Sequence, residues 1–128
     1  MKKLLFVDDE EFYRTLIPMA LKGLFEVQTA CDAEEAAGML KSISFDVVMT
    51  DYVMGEGHNG IWLLEEVKKK QPGVLRVLFS GSEPDEFEEH LKSGLVRRLI
   101  PKMSTVEEIV EGVSFSKKNP GSGDSRGS

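Results

Sequence analysis

Residues 45–51 read FDVVMTD, a mainly apolar run, rich in Val and Thr, that closes on a single acid, Asp51. Four to eight apolar residues bounded by polar or turn signals describe a strand buried on both faces, the usual state of a strand in a parallel sheet. An acid at the carboxyl end of such a strand opens into the crevice where open α/β sheets bind ligands. Many strand-end acids only cap a loop. The reading of Asp51 as a reactive centre therefore depends on what the other strands deliver to the same edge.

Upstream, Lys3–Val7 (KLLFV) is a short apolar run that stops at Asp8-Asp9-Glu10. Three neighbouring carboxylates repel one another unless a cation offsets them, and a hard cation with oxygen ligands, Mg²⁺, suits them. Acids also complement the start of a helix. Both roles are compatible, because helical spacing of Phe12, Leu16, Met19 and Ala20 predicts a helix over Glu11–Gly23. Pro18 predicts a kink in it, and Gly23 a C-terminal cap. Phe25–Ala30 alternates apolar and polar residues as a second strand, with Cys31 read as a packing residue. Asp32 and Glu35 have the spacing of a capping box at the head of a helix over Ala33–Ile43, with Ala36, Ala37, Leu40 and Ile43 inward.

Downstream of Asp51, Met54–Gly60 carries three glycines in seven residues and is a loop. Ile61–Gln71 is a helix with Ile61, Leu64, Val67 and Trp62 on its apolar face, closed by Pro72-Gly73. Its Lys68-Lys69-Lys70 end is read as solvated and suits the helix dipole. Val74–Phe79 is the fourth strand, followed by Ser80-Gly81-Ser82. An acidic helix over Glu83–Ser93 begins near Pro84, turns Phe87 and Leu91 inward and closes at Gly94. Val96–Ile100 is the fifth strand, ended by Pro101-Lys102. A last helix, Val106–Phe115, is capped by Ser104 or Thr105, with Ile109, Val110 and Val113 inward. His58 and His90 are read as surface residues. Residues 119–128 contain no apolar side chain and are expected to be a disordered tail or linker after a domain over 1–118.

The 128 residues suit one domain; 41% hydrophobic and 30% charged residues make it globular. A net charge of −6 disfavours nucleic acid and anionic membrane as partners. One cysteine excludes an internal disulfide and a cysteine-cluster zinc site. No stretch approaches the roughly 20 apolar residues of a membrane span, and the N-terminal apolar run is too short for a signal peptide, so a cytoplasmic location is expected.

Strands alternating with helices imply a parallel sheet covered on both faces, a three-layer α/β sandwich of five βα units. In that arrangement Asp8, Asp9, Asp51, Ser80 and Lys102 all follow strands and share one sheet edge. Three carboxylates, a hydroxyl and an amine there suit a divalent cation and a phosphoryl group, with a carboxylate able to act as nucleophile. A flavodoxin-like module for a nucleotide or flavin is the alternative. It would need a phosphate-cradling loop where Asp8-Asp9-Glu10 stands.

The combination of FVDDE at 6–10, Asp51 with Met54 three residues on, Ser80-Gly81 and Lys102 resembles the receiver domain of two-component response regulators, over about residues 3–116. The resemblance implies a CheY-like, flavodoxin-like (βα)5 fold with strand order 2-1-3-4-5. It implies Asp51 as phosphoacceptor and Mg²⁺ held by Asp8, Asp9, Asp51 and the backbone carbonyl of Val53. Ser80 and Lys102 would contact the phosphoryl group. It further implies a sensor histidine kinase or phosphotransfer protein as donor and a partner or output domain on the face of helix 4, strand 5 and helix 5. The chain would be a signalling domain that catalyses its own phosphorylation and dephosphorylation, not an enzyme. A non-phosphorylated pseudo-receiver acting by protein interaction is the alternative within this fold. The sequence departs from the family pattern at three places. Gly55 stands where Pro is usual, in a loop one residue longer; Pro101 precedes Lys102 and Met103 follows it; and Leu99 replaces an aromatic.

Overall fold

The computed structural model describes residues 1–114. Strands β1 (Lys2–Val7), β2 (Phe25–Ala30), β3 (Val47–Thr50), β4 (Leu75–Ser80) and β5 (Arg98–Pro101) alternate with helices α1 (Glu11–Ala20), α2 (Ala33–Leu40), α3 (Gly60–Lys70), α4 (Glu88–Ser93) and α5 (Val106–Val113). Every strand pairing is parallel, and the order is β2-β1-β3-β4-β5, as the resemblance implies. The register sets Val7 beside Thr50 and Ser80 beside Pro101, so the carboxyl ends of the strands form one edge.

Side-chain alternation builds the two outer layers. Leu5, Val7, Val48 and Leu78 pack into one cluster with Ala36 and Leu40 of α2 and Leu64 and Val67 of α3. Leu4, Phe6, Val47, Met49, Val77 and Phe79 pack into the other, with Ile17 of α1 and Ile109 and Val113 of α5. Each fully buried aliphatic or aromatic side chain contributes about 1.5–3 kcal/mol relative to exposure, so a sheet apolar on both faces demands both layers.

β3 is shorter than the run at 45–51, yet the chain stays bonded alongside β1 at both ends. Asp46 N donates to Lys3 O at 2.8 Å and Asp51 N to Val7 O at 2.9 Å. β4 runs one residue later than expected and ends on Ser80 itself, and β5 begins at Arg98 instead of Val96. Val96 stays buried in the loop before it. α2 stops at Leu40, and Ile43 still packs against the core. α3 starts at Gly60, and Leu63 joins its buried face. The expected fourth helix divides into a 3₁₀ turn, Pro84–Phe87, and α4, with buried Phe87 at the junction. α5 is capped by Thr105 in a full capping box with Glu108. Phe115, the tail at 119–128 and the boundary at 118 lie outside the described residues.

Two expectations are overturned. α1 ends at Ala20, short of Gly23, and its core stripe is Tyr13, Ile17 and Leu21. Phe12 and Met19 are 67% and 69% exposed. The helix carries two adjoining apolar stripes, and the core takes the one that meets Phe79, whose ring lies 5.4 Å from that of Tyr13. The other stripe, Phe12, Leu16 and Met19 with Glu11 and Thr15, lines an open apolar depression. Cys31, read as packing, is exposed.

Arg76 is a buried cation inside β4. Its guanidinium donates to the carbonyls of Leu95 (2.8 Å), Gly94 (3.0 Å), Pro72 (3.3 Å) and Val74 (3.4 Å). A buried charge without a carboxylate is tolerable only when its donors are satisfied, and carbonyl dipoles satisfy these.

Gly60 marks the tightest approach beside the acid edge: a Cβ there would run into the Asp51 carbonyl and crowd Thr50. Gly60→Ala is expected to destabilise the fold by at least the roughly 1–3 kcal/mol typical of overpacking. Urea unfolding measures it; wild-type stability in the variant would show that the backbone yields there freely.

Candidate functional site

Asp8 ends β1, wholly buried, because its backbone continues the sheet: its N–H donates to Ala30 O at 3.1 Å. Its Oδ1 accepts from Glu10 N at 2.9 Å, while its carbonyl accepts from Arg14 Nη1 at 2.9 Å. Asp51 ends β3, 8% exposed, with Oδ1 accepting from the Tyr52 N–H at 2.8 Å. Asp9 is exposed, and carboxylate oxygens of Asp8, Asp9 and Asp51 lie within 4.8 Å of one another.

Lys102 joins them from beyond β5. Its Nζ is 3.2 Å from Asp8 Oδ2 and 3.2 Å from Asp51 Oδ2. The ammonium sits 4.5 Å from the centre of the Tyr13 ring and 5.8 Å from that of Phe79, an aromatic floor that favours a cation. The Lys102 N–H donates to Ser80 O at 3.1 Å, which ties the lysine to the end of β4. Ser80 is buried, and its Oγ accepts from Ser82 N at 3.0 Å.

The ion pair does not complete the site. Asp8 Oδ2 is buried and accepts no hydrogen bond from the described residues. The ammonium near it offsets its charge without the alignment of a bond, so an acceptor lone pair is left over. Oxygen donors of this kind, two of them buried and one exposed, fit a hard divalent cation.

The electrostatics are those of crowded acids. Burial first, and then the Asp8 charge, push Asp51 from 3.8 up to about 6, against the pull of Lys102. Burial raises Asp8 as well. For Lys102, burial favours the neutral amine, but the charges of Asp51 and Asp8 outweigh it and raise the group above its ordinary value.

Of the residues singled out from the sequence, Asp8, Asp9, Asp51 and Lys102 are brought together, with Ser80 at the adjoining strand end. Val53 lies in the following loop and is 61% exposed. Leu99 is half-buried against the core cluster shared by α2 and α3. The sequence reading missed Tyr13 and Phe79 beneath Lys102, and Thr50, whose Oγ1 donates to the Asp51 carbonyl at 2.9 Å. Tyr52 was missed too; its ring meets buried Phe87 edge-on at 5.0 Å. His58, read as a surface residue, is exposed and pairs with Glu34 at 2.6 Å.

The family model described as the response regulator receiver domain matches residues 4–114. The chain belongs to that family. This receiver domain is 32% identical over 95 residues to the chemotaxis protein CheY of Halobacterium salinarum, covering 73% of the chain and 78% of that protein. It is 32% identical over 82 residues to the hydrogenase transcriptional regulatory protein HoxA of Cupriavidus necator, covering 64% of the chain but only 17% of that much longer protein. Its fold is shared with a response regulator from Burkholderia pseudomallei, crystallised with a phosphorylated aspartic acid, a calcium ion and citrate. That match has a TM-score of 0.79 and 20% identity, and it covers 90% of this chain and 68% of that one.

The raised Asp51 value fixes a sign for the receiver's stability. From about pH 4 to about 6 the unfolded chain has released this proton while the folded chain keeps it, so stability falls as pH rises through that window. Asp51→Asn removes the penalty. Without divalent cation the variant is expected to melt above wild type at neutral pH and to show a flatter pH dependence across the window. Thermal melts over pH read both; a variant melting below wild type at neutral pH contradicts the assignment.

Proposed function

We propose that this receiver takes a phosphoryl group onto Asp51 from a sensor histidine kinase or a phosphotransfer protein, in a Mg²⁺-dependent reaction, and so switches a partner or output domain. The observation that carries this reading is the Lys102 ammonium set 3.2 Å from both Asp8 and Asp51, with Asp8 Oδ2 left without a hydrogen bond. Asp8, Asp9, Asp51 and the Val53 carbonyl would hold Mg²⁺. When bound, the ion would neutralise phosphoryl oxygens and the crowded acids together.

The chain's own residues do the rest. A carboxylate oxygen of Asp51 forms the O–P bond as the P–N bond of the donor phosphohistidine breaks. The electron pair goes to the imidazole nitrogen, which takes a proton from solvent. Lys102 turns from its two carboxylates to pair with a phosphoryl oxygen. Ser80, whose Oγ accepts from Ser82 N, still has its O–H to donate to another. The phosphorylated aspartic acid and calcium ion of the Burkholderia pseudomallei protein support both the acceptor and a divalent cation. The apolar stripe of Phe12, Leu16 and Met19 directly follows the acidic loop and supports a protein, not a small molecule, as physiological donor. The longer relative's description as a transcriptional regulator supports a downstream output. Among the described residues no helix is long and apolar enough to cross a membrane, which is compatible with action in the cytoplasm.

Acetyl phosphate with Mg²⁺ is expected to add one phosphoryl group, read by intact mass, and Asp51→Asn to take none. Equal labelling of the variant rejects Asp51 as acceptor.

Val53 offers no hydrogen bond to a water attacking the acyl phosphate. Val53→Asn is therefore expected to lose phosphate faster than wild type, measured by the decay of the phosphorylated mass. An equal or slower rate contradicts this.

Ser80 has no methyl to vacate space, and Leu99 has no ring to swing. The change on phosphorylation should therefore centre on the Ser80–Pro84 loop, the 3₁₀ turn and α4, leaving the helix 4, strand 5 and helix 5 face as partner surface with a small response at Leu99. Amide shifts on adding Mg²⁺ and beryllofluoride test it; large shifts at Leu99 with Ser82–Phe87 quiet refute it.

A further inference from the structure

The loop from Asp51 to α3 is glycine-rich where the family pattern has proline. Gly55 and Gly57 take φ of +60° and +106°. Glycine reaches such angles without strain, but it leaves the loop many conformers to choose from. Its position must be imposed from outside.

Glu34, in the first turn of α2, supplies the constraint. Its Oε2 accepts from the His58 N–H at 3.0 Å and lies 2.6 Å from His58 Nδ1. A Cβ on Gly57 would fall 3.1 Å from the same oxygen, so the carboxylate also lies against the Gly57 backbone. The His58 ring stacks on the Trp62 indole, centroids 3.8 Å apart and planes 15° apart. Trp62 N in turn donates to the Asn59 cap at 2.9 Å. At the other end of the loop Gly55 faces the acid cluster: a Cβ there would sit 3.8 Å from Asp9 Oδ2. Only Glu56 and Gly57 separate Gly55 from the clamped His58.

We propose that Glu34, His58 and Trp62 form a latch that positions the Val53–Gly57 backbone against the acidic cluster. Glu34 and His58 are then positioning residues for cation binding and phosphoryl transfer at Asp51. The inference rests on the reading of Asp8, Asp9 and Asp51 as a cation site. Both paired side chains are half exposed, 50% for His58 and 51% for Glu34, so the latch adds little to global stability. Its effect is on which conformer the loop occupies.

The test uses the full chain with Glu34→Ala and Glu34→Gln. Mg²⁺ affinity is read from amide shifts, the initial rate from acetyl phosphate labelling, and the latch from emission of Trp62, the only tryptophan. Glu34→Ala is expected to change Trp62 emission, to weaken Mg²⁺ binding about tenfold, the low end for residues that orient metal ligands, and to slow labelling at sub-saturating Mg²⁺. The cation-free melting temperature should stay near wild type. Glu34→Gln keeps an oxygen for the His58 N–H and should recover most of the affinity. Equal Mg²⁺ affinity in Glu34→Ala and wild type overturns the latch, as does a loss of affinity with Trp62 emission unchanged. A wild-type chain with no saturable response to Mg²⁺ overturns the cation reading and the latch with it.

Discussion

Two carboxylates at the ends of neighbouring strands share one ammonium, and the architecture is arranged to keep it there. Asp8 and Asp51 are buried, which raises both, and the Asp8 charge makes Asp51 harder still to ionise. Lys102 at 3.2 Å from both makes the paired charge tolerable. It comes from the edge strand, β5, and β4 stands between it and β3. β4 ends in Ser80, and the Lys102 N–H is tied to Ser80 O. Tyr13 of α1 and Phe79 of β4 hold the ammonium from below. Four elements therefore converge on one cation, and a polar centre fixes how the layers meet where apolar packing alone would leave freedom.

The same cation makes the site both stable and responsive. Lys102 offsets charge without giving Asp8 Oδ2 a hydrogen bond. The centre is thus neither a closed ion pair nor an open cluster of acids. Carboxylates outnumber the ammonium, and one buried lone pair is not used, so the centre still has charge and an acceptor to offer an added cation.

What could be read from the sequence follows period and position. Four strands read as apolar runs and the second as an alternation, and polar residues after four of the five marked the shared edge. Helix α1 did not reveal its inner face, because Phe12-Leu16-Met19 and Tyr13-Ile17-Leu21 are both regular apolar stripes and only Phe79 decides between them. Strand ends shifted because hydrogen bonds to a neighbour, such as Asp46 N to Lys3 O, have no local signature. Arg76 looks like an ordinary strand residue until the carbonyls of residues 94 and 95 close around it. Glu34 and His58 stand 24 residues apart on different elements, and no spacing rule links them.

Arg76 also anchors one end of α4. It grips the Gly94 and Leu95 carbonyls, just past the helix's left-handed C-terminal glycine, from inside the central sheet. The opposite end of the segment is a 3₁₀ turn with no side-chain cap, seated on Phe87 against the Tyr52 ring. The segment is therefore held at both ends by unlike means, a buried guanidinium on its last carbonyls and a buried aromatic ring under its first turn.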